Sequence, residues 1–247
     1  MNILLTNDDG IFADGIAAAY KELVKLGNVT VVAPSDRMSG AGHSITVFEP
    51  LDCRKITVPG CFEGYSVAGS PADCVKLAVM ELCPKKPDLV VSGINHGANV
   101  GVNVYYSGTV AAAMEAAFYR IPAIAMSYAH EQQMNFASAA KYAVEVVDKV
   151  KNLNLPAVIN INIPALSQGA PKGIKVVPQS TMGFDEHFIK TQASDGGALY
   201  QLAGGDHRDV DVPSDTLALV DGFITVTMLG FDMTDYKNME KLHRIKW

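Results

Sequence analysis

Short apolar runs alternate with stretches of helical spacing through the first two thirds of the chain, and polar loops separate them. Ile3-Leu4-Leu5-Thr6 is apolar on both faces, which predicts a strand buried inside a parallel sheet. Ile16, Tyr20, Leu23 and Val24 then follow the period of a helix, with Gly27 as its stop. Further buried strands are expected at Val29–Ala33, Asp88–Val91, Pro122–Met126 and Ala157–Ile163. Between them, Ser70-Pro71-Ala72-Asp73 supplies the cap, the first-turn proline and the first-turn acid of a helix running to about Leu82. Ser107-Gly108-Thr109 opens another helix that continues through Tyr119. Residues 132–151 form a long amphipathic one, with Phe136, Ala140, Ala143, Val147 and Val150 on one stripe. Residues 45–68 carry short β-like runs and read as an insertion or an edge hairpin.

Beyond Pro164 glycine, proline, serine and acidic residues become frequent. One β run is clear at Ile174–Val177, another lies near residues 198–203, Phe223–Met228 reads as a strand, and residues 234–246 as a terminal helix. The expected fold class is α/β: a doubly wound, Rossmann-like three-layer αβα sandwich with a mostly parallel sheet. Residues 1–164 would be the core that carries the site. Residues 165–247 would be a β-rich extension used in oligomerisation (hairpin arm, closing strand and terminal helix), not an independent domain.

With 247 residues, 49% of them hydrophobic, the chain can bury the core such a fold needs. The net charge of −6 and the scattered lysines and arginines argue against gripping a nucleic-acid backbone. A small anionic substrate stays open, because a bound cation can supply positive charge locally. Cys53, Cys61, Cys74 and Cys83 form no C-x-x-C pair, so zinc is not expected and the thiols read as reduced packing residues. No basic leader precedes Asp8 and Asp9, and no apolar run nears the roughly 20 residues that cross a bilayer. A soluble, cytoplasmic protein without membrane contact is the expectation.

The chemistry gathers at the ends of strands. In a parallel sheet all strand carboxyl ends share one edge, so the loops Asn7–Gly10, Asp36–Ser44 and Ser92–Asn99 can converge. That would bring Asp8, Asp9, Ser39 and Asn95 together, and their carboxylate, hydroxyl and amide oxygens form the ligand set of Mg²⁺ or Mn²⁺. The plainer alternative for the acidic pair is one helix cap and one solvated side chain. Ser107-Gly108-Thr109 at a helix start suits a phosphate, since free N–H groups and the helix dipole face the anion there. An ordinary N-cap explains it too. His43 is a candidate proton donor or electrostatic clamp, against the commoner solvated loop histidine; His96 faces the same choice with less support. Asn99 is a neutral donor for phosphate oxygens. Ala111–Ala113 reads as close helix–sheet packing. Gly40-Ala41-Gly42 lacks the third glycine of a dinucleotide fingerprint, Gly64–Ala68 is only near a nucleophile elbow, and no P-loop lysine motif exists. Gly10 stands where an aspartyl-phosphate mechanism would want a second Asp, so no covalent phosphoenzyme is expected.

Five segments in order resemble the survival protein SurE family. They are Asn7-Asp8-Asp9-Gly10, Ser39-Gly40-Ala41-Gly42-His43-Ser44-Ile45-Thr46, Pro71-Ala72-Asp73-Cys74-Val75-Lys76-Leu77, Ser92-Gly93-Ile94-Asn95 and Tyr106-Ser107-Gly108-Thr109-Val110. Asn160–Pro164 also fits; the C-terminal third matches more loosely, and Met228 stands where a proline is usual. The resemblance implies a metal-dependent nucleoside monophosphate phosphatase acting on 5′-phosphates, with 3′-phosphates and short polyphosphate as further expected substrates. It implies one divalent cation per subunit on Asp8, Asp9, Ser39 and Asn95, and phosphate held by Asn99, Ser107, Gly108 and Thr109. It also implies a homodimer or homotetramer that exchanges C-terminal elements. Catalysis would rest on Asp8, Asp9 and His43. A nucleotide-sugar transferase would want Asp-x-Asp spacing and a second domain, neither of which is visible; a nucleotide sensor without turnover is the other alternative.

Overall fold

Strand β1 (Asn2–Thr6) lies in the middle of a nine-stranded sheet, with β2 (Asn28–Pro34) on one side and β5 (Leu89–His96) on the other, both parallel to it. The computed structural model describes residues 1–153, 157–193, 196–207 and 213–247; positions 194–195 and 208–212 of the expected extension lie outside the described residues. Beyond β2 come β4 (Phe62–Val67), parallel, and β3 (Cys53–Val58), antiparallel at the edge. Beyond β5 come β6 (Ala123–Tyr128) and β7 (Val158–Ile163), both parallel. The sheet ends with β11 (Ile224–Leu229), antiparallel to β7, and β8 (Ile174–Val176), parallel to β11. Two strands from beyond residue 164 therefore complete the central sheet. The other two, β9 (Phe184–Gln192) and β10 (Ala198–His207), make a separate antiparallel hairpin.

Alternate residues of the buried strands serve opposite layers, as a period of two requires. Ile3 and Leu5 join a cluster with Ile16, Ala19 and Leu23 of α1 (Asp14–Leu23) and Ala140, Ala143 and Val147 of α4 (Phe136–Val150). Leu4 faces the other way, onto Cys74 and Val75 of α2 (Pro71–Leu77) and Val110, Ala113 and Ala116 of α3 (Gly108–Phe118). This is the expected three-layer αβα sandwich. The alanines of α3 let its backbone approach the sheet closely. The strand order reverses between β1 and β5, which opens a crevice at their carboxyl ends.

Several elements differ from the sequence expectation. Ser92–His96, expected as loop, continues β5: past an irregularity after Ser92, Asn95 pairs with Ser127 and His96 with Tyr128. Side-chain patterning reports burial, whereas pairing uses the backbone, so a polar strand end is invisible to it. The hairpin strand β9 and the short helix α5 (Asp215–Val220) also escape the pattern. Asp185–Gln192 are exposed on both faces of β9, so this stretch has no apolar alternation to read. The α2 segment widens into a π turn over Ala78–Leu82, and the terminal helix α6 spans Tyr236–His243.

Candidate functional site

Asp8 leaves β1 directly into the crevice and is buried, at 4% exposure. Its Oδ1 accepts a hydrogen bond from the Thr109 hydroxyl at the start of α3. Gly108 allows this approach: a Cβ there would lie 2.8 Å from Asp8 Cβ and 3.1 Å from its Oδ2. Burial pushes the Asp8 carboxyl from 3.8 up to about 6, with the Asp9 charge adding to it; the Thr109 hydroxyl and backbone N–H pull the other way. Ser107 caps α3, its Oγ accepting from Val110 N–H at 3.1 Å, which leaves the hydroxyl proton free to donate. Strand end and helix start thus form one site, and Asp8 is the anion already resting on the helix N-terminus.

Asp9 is held by its backbone neighbour and by a cation. Its Oδ2 accepts from His96 N–H at 2.9 Å, and its Oδ1 lies 3.1 Å from Arg37 Nε. The same Nε donates to Ser39 Oγ at 2.9 Å, so Arg37 bridges Asp9 and Ser39 from the exposed rim. The loop carrying Arg37 and Ser39 is stitched across the site. Met38 N–H donates to Asp8 O at 2.8 Å, Gly42 N–H to Tyr106 O at 3.0 Å, and the Ser70 hydroxyl to Ser44 O at 2.7 Å. Asp73, which completes the α2 capping box with Ser70, also accepts from Thr46 N–H and hydroxyl at 3.0 and 2.7 Å. The turn after the acidic pair is fixed by Gly10, at φ +95°, whose carbonyl accepts from Asn7 Nδ2 at 2.8 Å.

Asn95 Nδ2 donates to Gly97 O at 2.8 Å, which leaves Oδ1 as the amide atom available to a ligand. Asn99 is buried and held at three points: its Nδ2 donates to Ser127 Oγ, its N–H to Asn162 Oδ1, and its carbonyl accepts from Asn160 Nδ2, each at 2.8 Å. One of its two Nδ2 hydrogens thus holds the loop, and the amide keeps a second donor and Oδ1 for a ligand. The same loop is clamped from the C-terminal side by Asp215, at 0% exposure. Asp215 Oδ2 accepts from Gly101 N–H at 2.9 Å and Oδ1 from Ser180 N–H at 2.8 Å, while Gln179 Nε2 donates to Gly101 O at 2.8 Å.

His43 is fixed on two sides. Nε2 lies 2.9 Å from Glu115 Oε2, and the ring stacks on Phe118 at 5.3 Å between centroids, 8° from parallel. A cleft of about 380 Å³ opens beside it, lined by Ser107, Tyr105, Met114, Phe118, Met228 and Phe231 among others. The structure therefore gathers Asp8, Asp9, Ser39, Asn95, Ser107, Gly108 and Thr109 around the switch point, with Asn99 on the loop that follows β5 and His43 beside the Ser107 end. His96 contributes its backbone to Asp9, and its ring pairs with His130 at 3.1 Å. Arg37, Glu115 and Asp215 were not anticipated. Glu115 had a signal, as the lone acid in the apolar run Val110–Phe118, and Asp215 had one in the cap-and-acid start Pro213-Ser214-Asp215. Arg37 had none.

A doubly wound sheet with an acidic pair at its switch point, closed by a helix N-terminus, defines a Rossmann-like protein that takes its ligand at the strand carboxyl ends. The family profile described as Survival protein SurE matches residues 3–186, and the chain belongs to that family. It is 39% identical over 249 residues to the 5'-nucleotidase SurE of Clostridium botulinum (strain Loch Maree / Type A3), covering 99% of each chain. It is 42% identical to the 5'-nucleotidase SurE of Desulfitobacterium hafniense (strain DSM 10664 / DCB-2), covering 99% of this chain and 96% of that one. The crystal structure of Sure protein from Aquifex aeolicus superposes with a TM-score of 0.86 at 41% identity, covering 98% of both chains.

Proposed function

We propose that the chain is a divalent-metal-dependent nucleotidase that hydrolyses nucleoside 5′-monophosphates, with 3′-monophosphates and short polyphosphate as further substrates to assay. The observation that carries this reading is the contact between Asp8 and the start of α3. Carboxylates of the kind that hold a hard cation share one site with a helix end of the kind that holds a phosphate. The names of the two relatives, 5'-nucleotidase SurE, support the nucleotidase part of this reading.

The residues fit one Mg²⁺ or Mn²⁺ per subunit. All donors are oxygens, and Asp8 has no cationic partner among the described residues although burial and Asp9 disfavour its charge. Arg37 Nε already lies between Asp9 and Ser39, which marks that rim as a place for positive charge. Asp8, Asp9, Ser39 and Asn95 would hold the cation, which when bound supplies positive charge to the phosphoryl oxygens and makes water easier to deprotonate. Ser107 donates its hydroxyl proton, and the first backbone N–H groups of α3 face the equatorial oxygens. Asn99 holds its loop through Ser127 and offers its second amide N–H to a phosphate oxygen. Asp9, braced by His96 N–H, orients the attacking water. His43 gives a proton to the leaving oxygen.

Phosphate release from nucleoside 5′- and 3′-monophosphates, with and without EDTA and with Mg²⁺ or Mn²⁺ restored, tests the reading. Full activity after rigorous metal removal overturns it, and binding without turnover makes the chain a sensor. A homodimer or homotetramer exchanging C-terminal elements suits the arm: Phe188, Ile189, Leu199, Tyr200 and Leu202 of the hairpin are exposed, and α6 has no buried residue. Light scattering on the eluting protein decides the state. The four cysteines are free, which suits a reducing cytoplasm, and no helix among the described residues is long and apolar enough to cross a membrane.

A further inference from the structure

Glu115 is buried at 3% exposure in the middle of α3, surrounded by alanines. A carboxylate there is costly unless it is paired and hydrogen-bonded. It has two partners from two other elements: His43 Nε2 at 2.9 Å on Oε2, and Lys76 Nζ of α2 at 2.7 Å on Oε1. Burial pushes its carboxyl up, yet the hydrogen bonds and charges of His43 and Lys76 outweigh that and hold it below its usual range. The group is therefore an anion at neutral pH. An α2–α3 anchor would need only Lys76; the second bond goes to a loop residue that borders the Ser107 cleft.

The geometry points to Glu115 as a positioning residue: it fixes the His43 ring so that Nδ1 is the nitrogen offered to the cleft beside Ser107, where it protonates the leaving oxygen. This rests on the nucleotidase reading. With Nε2–H donating to Glu115, only one ring nitrogen remains for a ligand, and the Phe118 stack fixes the plane in which it lies. Lys76 itself is steadied by Tyr119, whose hydroxyl lies 3.2 Å away. In the step, the bond from the water oxygen to phosphorus forms as the bond from phosphorus to the leaving alkoxide breaks. The alkoxide takes the Nδ1 proton of the imidazolium and departs as an alcohol. The water's proton passes to solvent, from which His43 is recharged, so one water is consumed and one alcohol and one inorganic phosphate are formed.

The test exploits the leaving group. A nucleoside alkoxide needs a proton, whereas the phenolate of p-nitrophenyl phosphate leaves without one. For Glu115→Gln, kcat on a nucleoside monophosphate should fall on the order of 100-fold with KM little changed, and on p-nitrophenyl phosphate by about tenfold or less. The double variant His43→Ala/Glu115→Gln should be no slower than His43→Ala alone, because the two act through one group. Equal losses on both substrates, or losses that multiply in the double variant, overturn the assignment. Should Glu115→Gln fail to fold, His43→Ala on the same substrate pair decides: an equal loss on both removes the proton donor that Glu115 is said to position. Wild-type protein that hydrolyses neither substrate overturns the nucleotidase reading instead.

Discussion

Replacing Asp8 by asparagine should stabilise the metal-free protein while abolishing turnover. Burial raises the Asp8 carboxyl from 3.8 to about 6. At about 1.4 kcal/mol per tenfold change, ionised Asp8 costs the native state ~3 kcal/mol at neutral pH. Because the native state binds this proton more tightly than the unfolded chain, the cost is complete above the native value, shrinks as pH falls, and vanishes below 3.8. Asparagine is neutral throughout, and its Oδ1 can still accept from the Thr109 hydroxyl. Urea unfolding in EDTA should therefore show Asp8→Asn more stable than wild type by about 1–3 kcal/mol at pH 7.5, and by less than about 1 kcal/mol near pH 4.5. Saturating Mn²⁺ should reverse the order, since a cation at about 1,000 times its dissociation constant stabilises the wild type by ~4.1 kcal/mol. A variant no more stable than wild type in EDTA, or a gain that does not change with pH, refutes the reasoning.

Gly108→Ala places a methyl 2.8 Å from Asp8 Cβ and 3.1 Å from Pro71 Cγ; calorimetry should show a loss of about 1–3 kcal/mol, and phosphate release should drop with it. Asp215→Asn exchanges one acceptor for a donor facing Gly101 or Ser180 N–H. About 2–3 kcal/mol should go in denaturant unfolding, and KM should rise more than kcat falls, because the loop is displaced and the reacting groups are not. Ser70→Ala removes the α2 cap and the bond to Ser44 O, for which thermal unfolding should report about 1 kcal/mol.

The core of the fold was legible because buried strands and an amphipathic helix write their burial into side-chain period. Ile3–Thr6, Val29–Ala33 and the stripe of Phe136, Ala140, Ala143 and Val147 all lie where the spacing puts them. The placement of Asp8 and Asp9 followed from topology, since a parallel strand's end is a fixed address. What stayed hidden depends on the backbone or on distant partners. Asn95 sits in a strand because β6 runs beside it, not because of its own neighbours. Arg37 finds Asp9 and Ser39 through a loop whose path no periodicity encodes. Asn99 reads as a phosphate donor from its position in a polar loop, but that one of its amide hydrogens holds Ser127 is visible only in the folded chain. Glu115 was readable as an acid out of place, though not the identity of the histidine it serves.

The antiparallel return of β11 onto β7 has a consequence for how the chain comes off the ribosome. Ile163 ends β7, and β11 begins only at Ile224. At ~5–20 residues per second, the intervening stretch takes on the order of 3–12 s to synthesise. Throughout that interval β7 presents a free hydrogen-bonding edge to the cell, with Ile159, Ile161 and Ile163 on one face, the kind of surface that recruits other strands. A nascent chain paused between those two points is the species a chaperone would be expected to meet.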